Sequence, residues 1–471
     1  MIVLALVLVP IAVGLALPAI PRSAERAAKT IGMLAAAATV VLAVAARGDE
    51  WTLHWLARPF DAALHFGLTP ISFWIALLAG VCTFSAVAGT SGVRARDLIA
   101  LLLLSEGTML ALFAARDLLL FALCWDLMLI PVFLILVRWG EHPAVAWRYF
   151  LYNFAGGVVL LLAAVAFGLA AGTTDVIGVP GVHLAGTWVP WIMAGFAAGF
   201  LVKTPVWPFH TWMPPTYTSL PPPAAALISG VQSKAGPYGF IAVGLALMPQ
   251  QMQADARLLI VLGLIGLLYG AFAALVQADV KRIVAYSSLS HLGLMLVAIC
   301  SFDPLALDGV LVYIVAHGLF SAALFLALGF IEEREETRVL ARLGGLDRHD
   351  PRLAGAFHIA ALAALGLPGL AGFAGELIML IGVYRAGLIL PAILALVAIV
   401  TASAYMLRLY QDAMQGPPRP ELPVRRDMTW SEGIALAPLL VALIVLGIYP
   451  TAILRVDMMP YVPAVQMQVQ R

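Results

Sequence analysis

Long apolar runs, separated by short segments rich in charged residues, proline or glycine, recur along the whole chain of 471 residues. A helix that crosses a bilayer needs about 20 mainly apolar residues, and fourteen runs approach this length. The pattern therefore predicts an all-α polytopic membrane protein. The expected spans are 2–20, 29–46, 70–92, 98–115, 118–137, 149–171, 187–208, 222–247, 258–278, 283–302, 309–331, 353–384, 386–407 and 432–450.

Composition supports this prediction, because 62% of the residues are hydrophobic and only 11% are charged. Roughly a quarter of the residues are charged in a soluble domain. Lipid is therefore the expected solvent, and a multi-pass location in a bacterial inner membrane is expected. The net charge of +1 gives no basic surface for nucleic acid.

The sequence carries no pattern for a cofactor. Cys82, Cys124 and Cys300 lie in apolar runs without CxxC spacing, so neither zinc nor an iron–sulfur cluster is expected from this chain alone. These cysteines are interpreted as packing residues. A glycine-rich phosphate loop is also missing from the sequence. No catalytic site is expected here, and any redox chemistry is expected on other subunits.

Lysine and arginine residues are distributed unevenly over the loops. Such residues are retained on the cytoplasmic side of a membrane. With the N-terminus outside, 18 of the 27 lie in inward loops and seven in outward ones, while Lys203 and Lys234 lie inside spans. This asymmetry predicts that both termini face outside. Residues 332–352 are then expected in the cytoplasm and residues 451–471 outside.

Five charged residues lie inside predicted spans: Glu106, Asp126, Lys203, Lys234 and Glu376. Each such residue costs about 2.5–3.5 kcal/mol at the centre of a membrane helix, so five unpaired charges would exceed the stability of a typical protein. Pairing must offset this cost. One interpretation is a set of static salt bridges between helices, and this interpretation applies most readily to Glu106. The other is a path for ions.

The two lysines lie beside expected helix breaks. Lys203 is followed by Pro205 and Pro208, and Lys234 lies three residues before Pro237. A proline inside a helix removes a backbone hydrogen bond and interrupts the helix. Each lysine is therefore expected at the C-terminal end of a half-helix, where the helix dipole favours a cation.

Glu376 follows the sequence LGLPGLAGFAG, whose glycines and proline also predict a break. Glu376 would open the second half of this helix, where the dipole favours an anion. Broken helices inside a membrane occur where they line protein or a water-filled cavity, and they often mark ion sites. The broken spans are expected to be the seventh, eighth and twelfth.

The spacing of these residues suggests an internal repeat. Lys203 and Glu376 are 173 residues apart, and Lys234 and Arg408 are 174 apart, which would superpose spans 4–8 on spans 9–13. The expected division is into flanking helices at 1–95, a first repeat at 96–250, a second repeat at 256–411, and a last helix with its tail at 427–471.

His291 and His317 lie in the tenth and eleventh spans. A lone histidine in a membrane is as often a packing residue as a relay. Imidazole titrates near neutral pH and both donates and accepts hydrogen bonds, so a path from Lys234 to Glu376 would favour the relay. Further hydroxyl steps are available from Tyr286, Ser287, Ser288, Ser290, Tyr313 and Ser321.

The segments around these residues resemble the antiporter-like membrane subunits of NADH:quinone oxidoreductase, respiratory complex I, and among them the M (chain 4) type. The segments are LLLLSEGTMLALFAARDLLLF with Glu106, CWDLMLIPVFLILVRWG with Asp126, FLVKTPVWPFHTWMP with Lys203, SGVQSKAGPYGF with Lys234, LYGAFAALVQADVKRIVAYSSLSHLG with His291, VAHGLFSAALFLALG with His317, and LGLPGLAGFAGE with Glu376. The acid at Glu376 is of the M type, since the L and N types usually carry lysine there.

The resemblance implies two inverted five-helix repeats, each with a half-channel for protons, and neighbouring antiporter-like subunits as partners in the bilayer. It implies that Asp126 and Lys203 form a coupling pair, that Lys234 and the histidines form a central relay, and that Glu376 is the exit group. Quinone reduction on other subunits would supply the energy. Two positions depart from the family pattern: Asp126 replaces a glutamate, and Tyr217 replaces a histidine on the uptake side.

Three other interpretations remain open. The motifs also occur in ion-translocating subunits of multisubunit sodium/proton antiporters and membrane-bound hydrogenases. A solute transporter would need polar pockets of substrate size, whereas the polar groups inside these spans are mostly single titratable residues. A scaffold that has lost pumping would be compatible with the departures at Asp126 and Tyr217.

Overall fold

The computed structural model describes residues 1–92, 94–177, 184, 186–417 and 427–455. Among these residues, eleven helices are long and apolar enough to cross a membrane, and three further spans are built from shorter pieces. The prediction of an all-α polytopic protein with about fourteen spans is confirmed. The orientation of the loops stays a prediction, and the part of the expected outer tail at 456–471 lies outside the described residues.

We number the spans 1–14 in chain order. The uninterrupted spans are span 1, Ile2–Ala16; span 2, Glu25–Ala45; span 3, Pro70–Ala88; span 4, Ala95–Ala114; span 6, Pro143–Ala171; span 9, Pro249–Val276; span 10, Val280–Ile299; span 11, Pro304–Glu335; span 13, Ile389–Tyr410; and span 14, Trp430–Ile448. Short helical turns lie at Leu17–Ala19, Arg22–Ala24, Leu340–Arg342, Leu346–Arg348, Gln411–Gln415 and Thr451–Leu454.

Four spans are interrupted. They are span 5, Leu118–Leu127 and Leu129–Trp139; span 7, Val189–Lys203, with the short helix Met213–Ser219 after it; span 8, Pro222–Gly230, Gln232–Lys234, Ala235–Gly239 and Phe240–Leu245; and span 12, Pro351–Ala364 and Ala371–Arg385. The predicted breaks in spans 7, 8 and 12 are confirmed. The break in span 5, at Met128, was not predicted.

Proline marks the beginning of several spans more often than it interrupts them. Spans 3, 6, 8, 9, 11 and the first half of span 12 each begin with a proline, because the first helical position needs no backbone N–H and suits the fixed φ of proline. The predicted starts of spans 6, 9 and 11, at residues 149, 258 and 309, were too late for this reason. These helices begin at Pro143, Pro249 and Pro304.

The two repeats, spans 4–8 and spans 9–13, share local features at corresponding points. Asp117 caps span 5 and Asp279 caps span 10, each accepting hydrogen bonds from backbone N–H groups of the first turn. Asp117 also forms a backbone bridge with Asp175 after span 6, and Asp279 forms one with Val339 after span 11. Because five spans is an odd number, the second repeat enters from the opposite face, which makes the repeats inverted.

One element outside the helices was not predicted. Glu50–Leu56 and Ala62–Gly67 form an antiparallel hairpin between spans 2 and 3. The core of the molecule lies in spans 10 and 11. All residues in the most apolar part of span 11 are buried, compared with 28% of the residues in the corresponding part of span 14. The exposed apolar faces of the outer spans are those that lipid or neighbouring subunits would cover.

Candidate functional site

Lys203 is the last residue of the first helix in span 7, which ends because Pro205 and Pro208 cannot continue it. Its side chain is buried, with a residue exposure of 1%. The Nζ atom donates a hydrogen bond of 3.0 Å to Oδ1 of Asn153 and lies 5.6 Å from the centre of the Trp125 ring. A neutral amide and an aromatic face therefore hold this ammonium group.

Asp126 lies two residues before the break of span 5. It is half-buried, and its buried Oδ1 has no hydrogen-bond partner in the described part of the chain. The carboxylate fills the space beside Gly157, where an added Cβ would come within 1.7 Å of Oδ1. Asp126 interacts electrostatically with Lys203, but the ion pairs that the described residues form do not include these two.

Lys234 lies directly after the break of span 8. The first helix ends at Gly230, and Lys234 closes the single turn Gln232–Lys234. Its Nζ atom donates to the backbone oxygen of Ser229 at 2.9 Å and to the hydroxyl of Ser233 at 2.9 Å. The lysine therefore binds a carbonyl at the C-terminal end of the half-helix, as the sequence predicted.

The third partner of Lys234 is His317 on span 11, whose Nδ1 lies 2.7 Å from Nζ. The His317 ring lies 5.5 Å from the His291 ring of span 10, and the His291 ring lies 5.6 Å from Tyr313. The Tyr313 hydroxyl donates to Oε1 of Glu376 at 2.5 Å. These five residues form a buried series across spans 8, 10, 11 and 12.

Glu376 lies in the second turn of the helix Ala371–Arg385, so it follows the helix start rather than opening it. Its Oε2 occupies the space beside Gly366, which lies in the break of span 12 at φ +79. A side chain at Gly366 would displace this carboxylate, and the positive φ disfavours any other residue there. The break therefore provides the room in which Glu376 is buried.

Glu106 is fully buried in span 4 and faces the hydroxyls of Thr39 and Thr83. Neither carboxylate oxygen makes a hydrogen bond within the described residues. The threonine hydroxyls are therefore the described polar groups that face this buried carboxyl group.

Sequence reasoning missed three neutral residues near these charges, of which Asn153 bonds Lys203 directly and Tyr149 and Gln232 bond each other. Asn153 and Tyr149 on span 6, together with Gln232 in the break of span 8, lie between Lys203 and Lys234. Neutral amides and phenols cost little in a membrane helix, so the search for buried charge did not identify them. Tyr217, predicted on an uptake side, is fully buried against Phe325 and interacts with Ser233.

Comparisons with known proteins place the chain in a family. The family model described as "NADH:quinone oxidoreductase/Mrp antiporter, TM" matches residues 115–402. NADH-quinone oxidoreductase subunit M of Rickettsia prowazekii is 33% identical, covering 85% of this chain and 83% of the relative. The protein of the same name from Pseudomonas aeruginosa is 32% identical, with 88% and 86% covered.

Solved structures give the same result for the fold. A chain of respiratory complex I from Thermus thermophilus superposes with a TM-score of 0.89 at 28% identity, covering 98% of each chain. A chain of the Mrp complex from Dietzia superposes with a TM-score of 0.87 at 22% identity, covering 99% of this chain and 98% of that one. The chain is therefore a multi-span membrane protein that belongs to the NADH:quinone oxidoreductase/Mrp antiporter family of membrane subunits.

Proposed function

We propose that this chain is a proton-translocating subunit of an NADH:quinone oxidoreductase of the bacterial inner membrane. The observation that carries the proposal is the buried series from Lys234 through His317, His291 and Tyr313 to Glu376. Each member can hold or pass a proton, and the series runs from span 8 of the first repeat across spans 10, 11 and 12 of the second repeat. A scaffold does not need titratable groups arranged in this order.

In this proposal the Asp126–Lys203 pair of the first repeat is the switch that decides whether Lys203 keeps or releases its proton. A lysine ammonium in apolar surroundings is stabilised by a nearby anion and destabilised when the anion moves away. Lys203 holds its proton while Asp126 is close and gives it up when they separate, and the proton continues to Lys234. With Lys234 protonated, its Nζ donates to Nδ1 of His317, so the shift of one proton along this bond starts the second half of the path.

Glu106 completes the set of groups that we assign to translocation, since its carboxyl group is fully buried and makes no hydrogen bond within the described residues. In this proposal the chain has no redox site of its own, and quinone reduction on other subunits provides the energy. Neighbouring antiporter-like subunits, lipid and protons are its partners. The two repeats at 96–250 and 256–411 each contribute one half of the path, between flanking helices at 1–95 and 427–471.

The substitution Lys203→Arg separates a pump from a static scaffold. A guanidinium stays protonated and cannot pass a proton on, so we expect proton uptake to fall at least about tenfold while the complex still assembles. The measurement is NADH-driven proton uptake by vesicles that contain the purified complex, with assembly checked by native gel. Lys281→Arg is the matched control, because Lys281 forms a static ion pair of 2.5 Å with Glu332.

Asp126 gives a second arm of this experiment. Asp126→Glu restores the longer acid that the family pattern has and is expected to keep pumping, whereas Asp126→Asn removes the charge and is expected to lose it. Lys203→Ala is expected to assemble without pumping, because an unpaired buried carboxyl becomes protonated rather than staying charged. A Lys203→Arg complex that assembles and pumps normally would overturn the proposed switch.

A second candidate function is ion translocation in a multisubunit sodium/proton antiporter. The match to the Mrp complex structure and the wording of the family description favour it as the alternative. Purification of the native complex distinguishes the two. Co-purification of flavin- and iron–sulfur-containing subunits supports the NADH:quinone oxidoreductase assembly, and their replacement by further antiporter subunits supports the alternative.

A further inference from the structure

Gln232 connects two helix breaks. It lies in the break of span 8, two residues before Lys234, and its side chain is buried with a residue exposure of 1%. Its Nε2 donates to the backbone oxygen of Met128 at 3.4 Å, and Met128 is the residue at which span 5 is interrupted. Asp126 lies two residues before that point, so one amide joins the segments that carry Asp126 and Lys234.

Tyr149 on span 6 gives Gln232 a second partner. The Tyr149 hydroxyl accepts from Nε2 at 2.9 Å and lies 3.3 Å from Oε1, to which it donates. Tyr149 is fully buried. One turn further along the same helix, Asn153 donates from Nδ2 to the Tyr149 backbone oxygen and accepts the hydrogen bond from Lys203.

These contacts leave Gln232 as the polar group shared by both lysine sites. Lys203 reaches it through Asn153 and the Tyr149 segment, Asp126 reaches it through the break at Met128, and Lys234 is next but one in the chain. Met128 lies at the junction of the two helices of span 5, so the bond from Gln232 to its backbone oxygen depends on the shape of that break. A movement of Asp126 towards or away from Lys203 changes the position of the oxygen that Gln232 binds.

We infer that Gln232 is a positioning residue that couples the Asp126–Lys203 pair to Lys234, with Tyr149 as its second anchor. This inference rests on the proposed function. Gln232 does not carry the proton itself. It makes the arrangement of the span 8 break, and therefore of the Lys234 ammonium group, depend on the arrangement of the span 5 break. Without the amide of Gln232, the arrangement of the span 5 break still changes, but the position of the Lys234 ammonium group does not change with it.

The substitution Gln232→Leu tests this coupling in vesicles that contain the assembled complex. Leucine has an apolar side chain of similar size and removes the hydrogen bonds that Gln232 makes with Met128 and Tyr149. We expect NADH oxidation to continue while the number of protons taken up per NADH falls about threefold or more, which is within the range measured for residues that link two sites. An unchanged proton yield in an assembled Gln232→Leu complex overturns the inference.

The substitution Gln232→Glu adds a readout that a packing role would not change. A neutral carboxyl group donates and accepts as the amide does, whereas a carboxylate only accepts and cannot bind the Met128 oxygen. Relative to the unchanged complex, the proton yield of Gln232→Glu is therefore expected to fall as the pH rises. A ratio that does not change with pH contradicts the coupling role.

Tyr149→Phe removes only the hydroxyl of the second anchor and should lower the proton yield less than Gln232→Leu. The double variant should resemble Gln232→Leu alone, because residues that act through one contact are not additive. Tyr238→Phe is the matched control, since it removes a buried hydroxyl that binds the Phe113 backbone oxygen instead.

The Lys203→Arg variant separates the failure of this inference from the failure of the proposed function. If Lys203→Arg also pumps normally, the proposed function fails. If only the Gln232 variants pump normally, the coupling inference alone fails.

Discussion

The two buried lysines are held in different ways. Lys203 makes one described hydrogen bond, to the neutral amide of Asn153, while Asp126 lies apart with an oxygen that has no partner. Lys234 makes three hydrogen bonds, one of them directly to His317. Lys203 is therefore held by fewer hydrogen bonds than Lys234 within the described residues, as the proposed roles of a switch and of a fixed relay require.

This difference follows from the kinds of break that carry the two sites. The segment after Lys203 is irregular from residue 204 to residue 212, and span 5 has a further break beside Asp126. Around Lys234 the chain returns to helix at Ala235, and one of its three partners, His317, comes from span 11, whose most apolar part is entirely buried. Fewer hydrogen bonds leave more freedom of movement, so we expect a switch in the first region and a fixed path in the second.

The largest effect is expected at the end of the fixed path. Glu376→Gln should reduce proton uptake at least about a hundredfold, because an amide keeps the hydrogen bond to Tyr313 but cannot take up a proton, and loss of a proton-transfer group costs about 10²–10⁴-fold. Glu376→Lys should be milder, since lysine is titratable and the related subunits use it. The measurement is proton uptake by vesicles. A pumping Gln variant would remove Glu376 from the path.

An intermediate effect is expected from filling the space beside the switch. Gly157→Ala places a methyl group where the Asp126 carboxylate lies, and overpacking of this kind costs about 1–3 kcal/mol. Proton uptake should fall while the second repeat is unaffected. Gly156→Ala is the control, because its Cβ would meet only the Val202 side chain, at 3.2 Å. Equal loss in both variants would show general damage to span 6 instead of an effect on Asp126.

The smallest effect concerns an ion pair outside the membrane that joins the two repeats. Arg338, after span 11, pairs with Glu141 in the loop between spans 5 and 6 and with Asp279 at 2.7 Å. The hydrogen bond from Arg338 lowers the pKa of Glu141 below its ordinary value of 4.5. The stabilisation is therefore present above pH 4.5 and is lost as the pH falls through the lowered pKa of Glu141.

Because Glu141 is partly exposed, the pair contributes no more than about 0.5 kcal/mol. Glu141→Gln should lower the thermal midpoint of the detergent-solubilised protein slightly at pH 7, and the difference from the unchanged protein should vanish near pH 3, which is about one unit below the ordinary carboxylate range. Proton uptake should not change. A clear loss of uptake would mean that contact between the repeats at the surface is part of the switch.

The sequence predicted the spans and three of the four breaks because both depend on local chemistry. Apolar length identifies a membrane helix, and proline or glycine beside a buried charge identifies a break. The hairpin Glu50–Leu56 and Ala62–Gly67 was missed because only the runs of spanning length were read. The break at Met128 was missed although Pro131 follows it by three residues, because proline has no N–H to bond the oxygen of Leu127, four residues back, and this signal was not used.

The charged residues of the candidate site were also identifiable from sequence, because each is too costly to bury without a reason. Their partners were not. Nothing in the run around Asn153 or Tyr149 indicates which lysine it meets, since that depends on how span 6 packs against spans 7 and 8. The buried location of Tyr217 beside Ser233 likewise depends on the packing of the short helix Met213–Ser219.

The bonds of Lys234 to Ser229 and Ser233 have a consequence for biosynthesis. The chain is made from its N-terminus, so span 8 enters the membrane before span 11 and His317 exist. A bare ammonium group at that depth would oppose insertion. Two of its three acceptors are contributed by the same span, so the lysine is bonded within its own span before His317 of span 11 becomes its third partner.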